Sequence, residues 1–375
     1  MSTSFAKYHI DVVPPMTQSP SAWYDCGVVR RACDDIHVMR GGKYALWEAS
    51  TRPRVRPRNP NELPRIEMKK KKKRARSEDV EERKLEDEKD PKAQKIHAPG
   101  KDVEEFRNYV DSARNFIVVN HYCMMRRFQT FDFVKRMEKK WIGGFGTRAK
   151  MTVWEAFQEL LNYVDSSDPD SAFPNTEHAL QTAEGIRAAG MPDWFQLVGL
   201  IHDMGKIQFL WGTKEDGQSG EATGPQWALG GDTWIVGCKI PGDKVVYPEF
   251  NQLNPDTYHP VYASEKGVYK DGIGIMNATF AWGHDEYMYQ MLVHNKCTIP
   301  EEGLAMVKLH SCYPWHDKGA YAWLEKEGDG KLKEWVKKFN QFDLYTKADS
   351  LPNAKELWPY YQKLIDKYMP GKLDW

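Results

Sequence analysis

Apolar residues recur at three- and four-residue intervals over most of the chain after residue 100, and that spacing predicts a succession of helices. Phe106-Arg107-Asn108-Tyr109 opens the first helical region. Val118, Tyr122, Met125, Phe128 and Phe131 carry the pattern from Asn115 to Met137, and Gly143-Gly144-Phe145-Gly146 breaks it. Thr152 is placed to cap the next amphipathic helix, through Val153, Ala156, Phe157, Leu160 and Leu161. Asn175 or Thr176 caps another, with Glu177 and Glu184 on its polar side and Gly190 stopping it. Pro192-Asp193 starts a strongly apolar helix through Phe195, Leu197, Val198, Leu200 and Ile201, whose place is in the core. Further helices run through Met288, Met291, Leu292 and Val293, then from Pro300 with Glu301 and Glu302 near the positive end, then through Leu332, Trp335, Val336, Phe339 and Phe342. The aromatic tail from Pro352 to Trp375 is expected to pack back on the core. Between Lys206 and Ala281, Gly, Pro and Tyr are dense, which predicts irregular structure with at most a short hairpin near Val245 to Tyr247. The expected fold class is all-α, a helical bundle with irregular loops.

Residues 1–100 do not share the pattern. Trp23, Tyr24, Val28, Val29, Tyr44, Leu46 and Trp47 make a local cluster without enough apolar residues after it to close a core. Arg, Pro and Asn alternate from Thr51 to Arg65, a basic run follows from Lys69 to Arg76, and a mixed acidic stretch runs from Glu78 to Asp90. Such a polyampholyte is expected to be disordered or a solvated single helix. The basic run suits a nuclear address or a nucleic-acid patch; a solvated linker is favoured because the acidic run beside it screens the charge. The chain therefore divides into a charged extension, 1–100, and a catalytic helical domain, 101–375.

Lys plus Arg number 53 and Asp plus Glu 53, so bulk charge favours neither nucleic acid nor membrane. No run of about 18 apolar residues is present, and no apolar leader opens the chain. The cysteines, at 26, 33, 123, 238, 297 and 312, form no C-x-x-C pair and read as reduced thiols. The expectation is a cytoplasmic monomer.

The candidate chemistry begins where the apolar helix stops, at His202-Asp203. An imidazole and a carboxylate side by side at the end of a buried helix need a partner, and a metal ion is the natural one. The candidate ligands are His178, His202, Asp203, His284, His310 and Asp343: four imidazoles and two carboxylates on several helices, with no thiolate. One metal cannot use six protein ligands and keep an open position, whereas two metals bridged by Asp203 can. Iron, zinc and manganese all suit these donors. His121 and His316 are set aside as surface histidines or as groups that support ligands. The Asp165-Ser166-Ser167-Asp168-Pro169-Asp170 string reads as a capped turn next to the site, Thr213 to Thr223 as a surface insertion, and Gly230-Gly231-Asp232 either as a plain turn or as a close approach of backbone amides and one carboxylate to a ligand.

These residues resemble the HD-domain superfamily of helical di-metal proteins and, more narrowly, the myo-inositol oxygenase family. The likeness runs through FRNY at Phe106, DFV at Asp132, MTVWEA at Met151, SDPD at Ser167, QTAEGIR at Gln181, HDMGK up to Lys206, PQWA at Pro225, WGHDEY at Trp282, YPWH at Tyr313 and FDLYTK at Phe342. It implies an HD-like fold and a mixed-valent iron pair on the six ligands. The implied reaction cleaves the ring of myo-inositol with dioxygen, giving D-glucuronate and water. It also implies substrate contacts at Arg107, Asp165, Ser166, Ser167, Lys206, Gly231, Asp232, His310, Ser311 and Lys347. Asp203 and Lys206 take the catalytic roles, the lysine offsetting negative charge on bound alkoxide and on dioxygen as it is reduced. Ser166 stands where the family commonly has an acid. An HD-type metal-dependent phosphohydrolase would share His178, His202, Asp203 and Asp343 but would leave His284 and His310-Ser311 unexplained. A regulatory protein without metal would carry these buried ligands at a cost in stability.

Overall fold

The computed structural model describes residues 107, 109, 115–170, 174–219, 224–345 and 353–375. Ten α-helices order these residues: α1 Asn115–Phe128, α2 Phe131–Ile142, α3 Val153–Glu159, α4 Asn175–Ala188, α5 Asp193–Ile201, α6 His284–His294, α7 Glu301–Leu309, α8 Tyr313–His316, α9 Asp329–Tyr345 and α10 Ala354–Tyr368. The all-α expectation holds. The extension 1–100 and Lys347 lie outside the described residues.

Helix α5 is the hub. Phe195, Leu197, Val198, Leu200 and Ile201 are all fully buried, each contributing about 1.5–3 kcal/mol on leaving water. α4, α7, α9 and α10 pack around it, and α6 packs on α7. Gly199 sets the closest approach: a Cβ there would sit 2.7 Å from Ile186 Cδ1 and 3.0 Å from the Ala183 backbone of α4. That contact draws the start of α4 and the end of α5, and hence His178 and His202, into one place. The tail returns as expected. Tyr360, Tyr361 and Tyr368 of α10 donate their hydroxyls to Gln196, Glu184 and Asp193 on the α4–α5 pair, and Trp375 is fully buried.

Local chemistry overrides the periodic pattern in four places. The single pattern from Asn115 to Met137 is two helices, because Thr130 leaves helical geometry and accepts from Phe133 N as the cap of α2. Arg107 itself is not helical: its φ is +59° and its N–H is held by the Asp170 carboxylate. Pro174, not Asn175 or Thr176, occupies the cap of α4; both polar residues are inside the helix and buried. The hairpin near Val245 to Tyr247 is absent. Two short strands pair elsewhere: β1 Lys150–Met151 runs antiparallel to β2 Leu373–Asp374. Thr152 does cap α3, in a reciprocal capping box with Glu155.

Candidate metal centre and substrate cavity

Four histidines share one space because the ends of several helices meet there. His202 and His310 cap the C-termini of α5 and α7, each N–H closing the last turn on Val198 O and Met306 O. His284 opens α6, His178 lies in the first turn of α4, and Asp343 lies near the end of α9. Among the described residues no helix is long and apolar enough to cross a membrane.

The rings are turned the same way. His202 Nδ1 is 2.9 Å from Gly199 O, His284 Nδ1 is 2.6 Å from Leu229 O, and His310 Nδ1 is 3.2 and 3.1 Å from Met306 O and Val307 O. A carbonyl only accepts, so each Nδ1 carries a hydrogen, and Nε2 is the ring atom whose lone pair, when unprotonated, aims inward. His202 Nε2 is buried without a hydrogen-bond partner. His284 Nε2 and His310 Nε2 stand 3.1 Å apart. Two lone pairs at that distance repel unless a cation joins them or one ring takes a proton.

Asp203 splits its carboxylate between two groups of ligands. Its Oδ1 is 3.0 Å from His284 Nε2 and 3.9 Å from His310 Nε2. Its Oδ2 is 3.6 Å from His202 Nε2 and 3.9 Å from His178 Nε2. Asp343 Oδ1 joins the second group, 2.8 Å from His178 Nε2 and 3.2 Å from His202 Nε2. Within each triplet, His178-His202-Asp203 and Asp203-His284-His310, the ligand atoms lie within 4.8 Å of one another. Nitrogen and oxygen donors so arranged can hold two transition-metal ions that share one carboxylate. Burial would push both acids up, but Lys206 and His202 outweigh it at Asp203, and His202 and His178 at Asp343. Both acids stay well below the usual carboxylate value.

A cavity opens against these ligands. Arg107, Asp165, Ser167, Lys206, Gly231, Asp232, His310 and Ser311 line it together with His178, Asp203, His284 and Asp343. Lys206 is 2.7 Å from Asp165 Oδ2 and 2.8 Å from Asp203 Oδ2, and donates to Asn175 Oδ1 at 3.2 Å. Burial works against its charge, and the two carboxylates reverse this and hold it protonated; in return Asp165 is held far below the usual range against its own burial. Arg107 stacks on Tyr313, 3.5 Å from the ring centre, and pairs with Asp232, which also accepts from Tyr122 at 3.2 Å. Gly205 is a glycine of close approach: a Cβ there would stand 2.2 Å from His284 O, so the residue admits the backbone of a candidate ligand.

Comparison with known proteins bears on this geometry. The family model for myo-inositol oxygenase matches residues 115–375. Inositol oxygenase from Sus scrofa is 46% identical over 294 residues, covering 76% of this chain and all of that protein. The Rattus norvegicus inositol oxygenase is 48% identical over 271 residues, 72% of this chain and 90% of that one; the Danio rerio protein is 46% identical over 276 residues, 73% and 95%. The chain belongs to the myo-inositol oxygenase family. Nothing in these matches favours a phosphohydrolase.

Some residues depart from the family-based expectation. Ser166 does not line the cavity; its hydroxyl is 2.8 Å from His121 Nδ1, and it faces a separate pocket. The 213–223 stretch is not merely surface. Gln218 and Ser219 are fully buried, and Gln218 ties Trp141, Gln208 and Ala228 together; residues 220–223 lie outside the described residues. His121 and His316 are buried too. His316 Nε2 lies 3.0 Å from His310 O, where Asn340 Nδ2 also donates at 3.0 Å, so it supports a candidate ligand's backbone. Sequence reasoning missed Asn175, Asn340 and the tyrosines at 109, 122 and 313. Nothing local marks them, because each comes to the site through tertiary contact.

Proposed function

We propose that this chain is an inositol oxygenase that works with two iron ions and dioxygen, cleaving the ring of myo-inositol to D-glucuronate and water. The observation that carries this reading is the split carboxylate of Asp203, one oxygen toward His284 and His310 and the other toward His178 and His202. His178, His202, Asp203 and Asp343 would hold one iron, and Asp203, His284 and His310 the other, leaving room for substrate and dioxygen. The iron pair, when bound, supplies Lewis acidity toward a vicinal diol and the redox capacity to reduce dioxygen.

The chain's own groups bind and orient the polyol. A cyclitol hydroxyl both donates and accepts, and the cavity alternates the two functions: Arg107 and Lys206 donate, Asp165 and Asp232 accept. Ser167 Oγ donates to Asp165 Oδ1 at 2.6 Å, which fixes the carboxylate that faces Lys206. Lys206 keeps its ammonium charge where alkoxide character develops. Arg107, Tyr109 and Tyr313 line one side of the cavity together, the guanidinium lying over both rings. Across the reaction one ring carbon–carbon bond breaks, one oxygen atom enters the new carboxylate and the other leaves as water, a four-electron oxidation. Oxygen uptake and glucuronate formation by iron-loaded protein given myo-inositol test the reading. Phosphate release from a phosphomonoester without oxygen uptake would overturn it.

A further inference from the structure

Asp285 follows His284 and is 3% exposed. Its Oδ1 is 3.1 Å from His310 Nδ1 and accepts from Ser311 Oγ at 2.8 Å. Its Oδ2 is buried without a hydrogen-bond partner. The two neighbours face the cavity from opposite chemistries. His310 presents Nε2 to the ligand group at Asp203, and Ser311 lines the space proposed for the polyol. One carboxylate oxygen therefore touches both halves of the site from behind.

We infer that Asp285 is a positioning residue that sets His310 and Ser311 together. It acts through those residues and is not itself a cavity-lining group. At His310 it adds a negative acceptor to the two carbonyls around Nδ1, which fixes the hydrogen there and makes Nε2 a stronger donor to metal. At Ser311 it takes the hydroxyl hydrogen, so the oxygen turns its lone pairs to the cavity. Ser311 then accepts from a substrate hydroxyl and does not donate to one.

The inference rests on the proposed function for the identity of the substrate, but its first test does not need turnover. Full-length protein and three variants, Asp285→Asn, Asp285→Ala and Ser311→Ala, are titrated with Fe(II) without oxygen, and then with myo-inositol. Asparagine can keep an oxygen toward both neighbours while losing the charge. Asp285→Asn should weaken one of two Fe(II) sites by about 10–100-fold and leave the other unchanged. Ser311→Ala should bind both irons as before and weaken inositol by about fivefold to tenfold, the loss of one hydrogen bond. Asp285→Ala should show both losses; if it fails to fold, Asp285→Asn decides alone. Two Fe(II) sites of unchanged affinity in Asp285→Asn would overturn the inference, as would equal weakening of both sites, which marks a merely structural role. If the unmodified protein binds two irons but cleaves no inositol, the proposed function fails while the metal half of the inference still stands on the Fe(II) titration.

Discussion

Replacing Gly205 by alanine tests how closely the fold is built around the candidate ligands. The added Cβ would lie 2.2 Å from His284 O, 2.9 Å from its carbonyl carbon and 3.0 Å from its Cα. All three are backbone atoms, so no side-chain rotation relieves the clash. Restoring ordinary contact needs a displacement on the order of 1 Å between the 3-10 helix Met204–Leu210 and the start of α6. That movement separates His284 Nε2 from Asp203 Oδ1, now 3.0 Å apart. Overpacking of this kind costs about 1–3 kcal/mol, and misplacing a reacting group by about 1 Å costs on the order of 10²-fold in rate. Gly330→Ala is the matched control. It lies in α9 with nothing within 4 Å of an added Cβ, and should stabilise by about 0.5–1 kcal/mol. Thermal unfolding, metal content and inositol-dependent oxygen uptake are measured on both variants. Gly205→Ala with full metal content and turnover within twofold of the parent would refute the close-approach reasoning.

Other outcomes follow from the same geometry. Lys206→Ala should retain both metals and lose ring cleavage by about a hundredfold or more, since it removes the charge between Asp165 and Asp203; turnover near that of the parent would return Lys206 to a structural role. Gln129→Ala should lower stability by about 2–4 kcal/mol in chemical denaturation, because buried Gln129 holds Trp282 N, Trp282 O and Trp227 O, and a smaller loss would mean water replaces it. The metal-free protein should weaken in acid. Asp165, Asp203 and Asp343 are held below the usual carboxylate range, so their contribution is complete above about pH 4 and is lost as pH falls further. A denaturation midpoint constant from pH 6 to pH 3 would contradict this. Deleting residues 1–100 should leave activity within a few-fold, and an insoluble or inactive product would show that the extension belongs to the folded domain.

Much of the site was legible because its candidate ligands sit where helices end. The apolar run of α5 stopping at His202-Asp203, and the Pro-led α7 delivering His310, are local signals that survive folding. The glycine between Asp203 and Lys206 was legible as a glycine but not as a contact, since its neighbour His284 is far away in sequence. The same holds for Asp285: beside His284 it reads as an acidic first-turn residue, and only the packing of α6 against the end of α7 places it on His310 and Ser311. Thr130 was hidden inside a continuous apolar period, because a single cap hydrogen bond ends one helix and starts another without disturbing the spacing. Gln218 lay in a polar, glycine-rich stretch that looked solvated, yet its amide satisfies Trp141, Gln208 and Ala228 in the interior. Buried amides that close polar networks leave no hydrophobic trace.

The shared carboxylate of Asp203 is tested most directly by counting iron in anaerobically loaded protein, parent and Asp203→Ala together, by elemental analysis. Two irons per chain in the parent and a loss at both sites in the variant are the predicted result. One iron or none in the parent, or two irons retained in Asp203→Ala, would contradict a bridged pair.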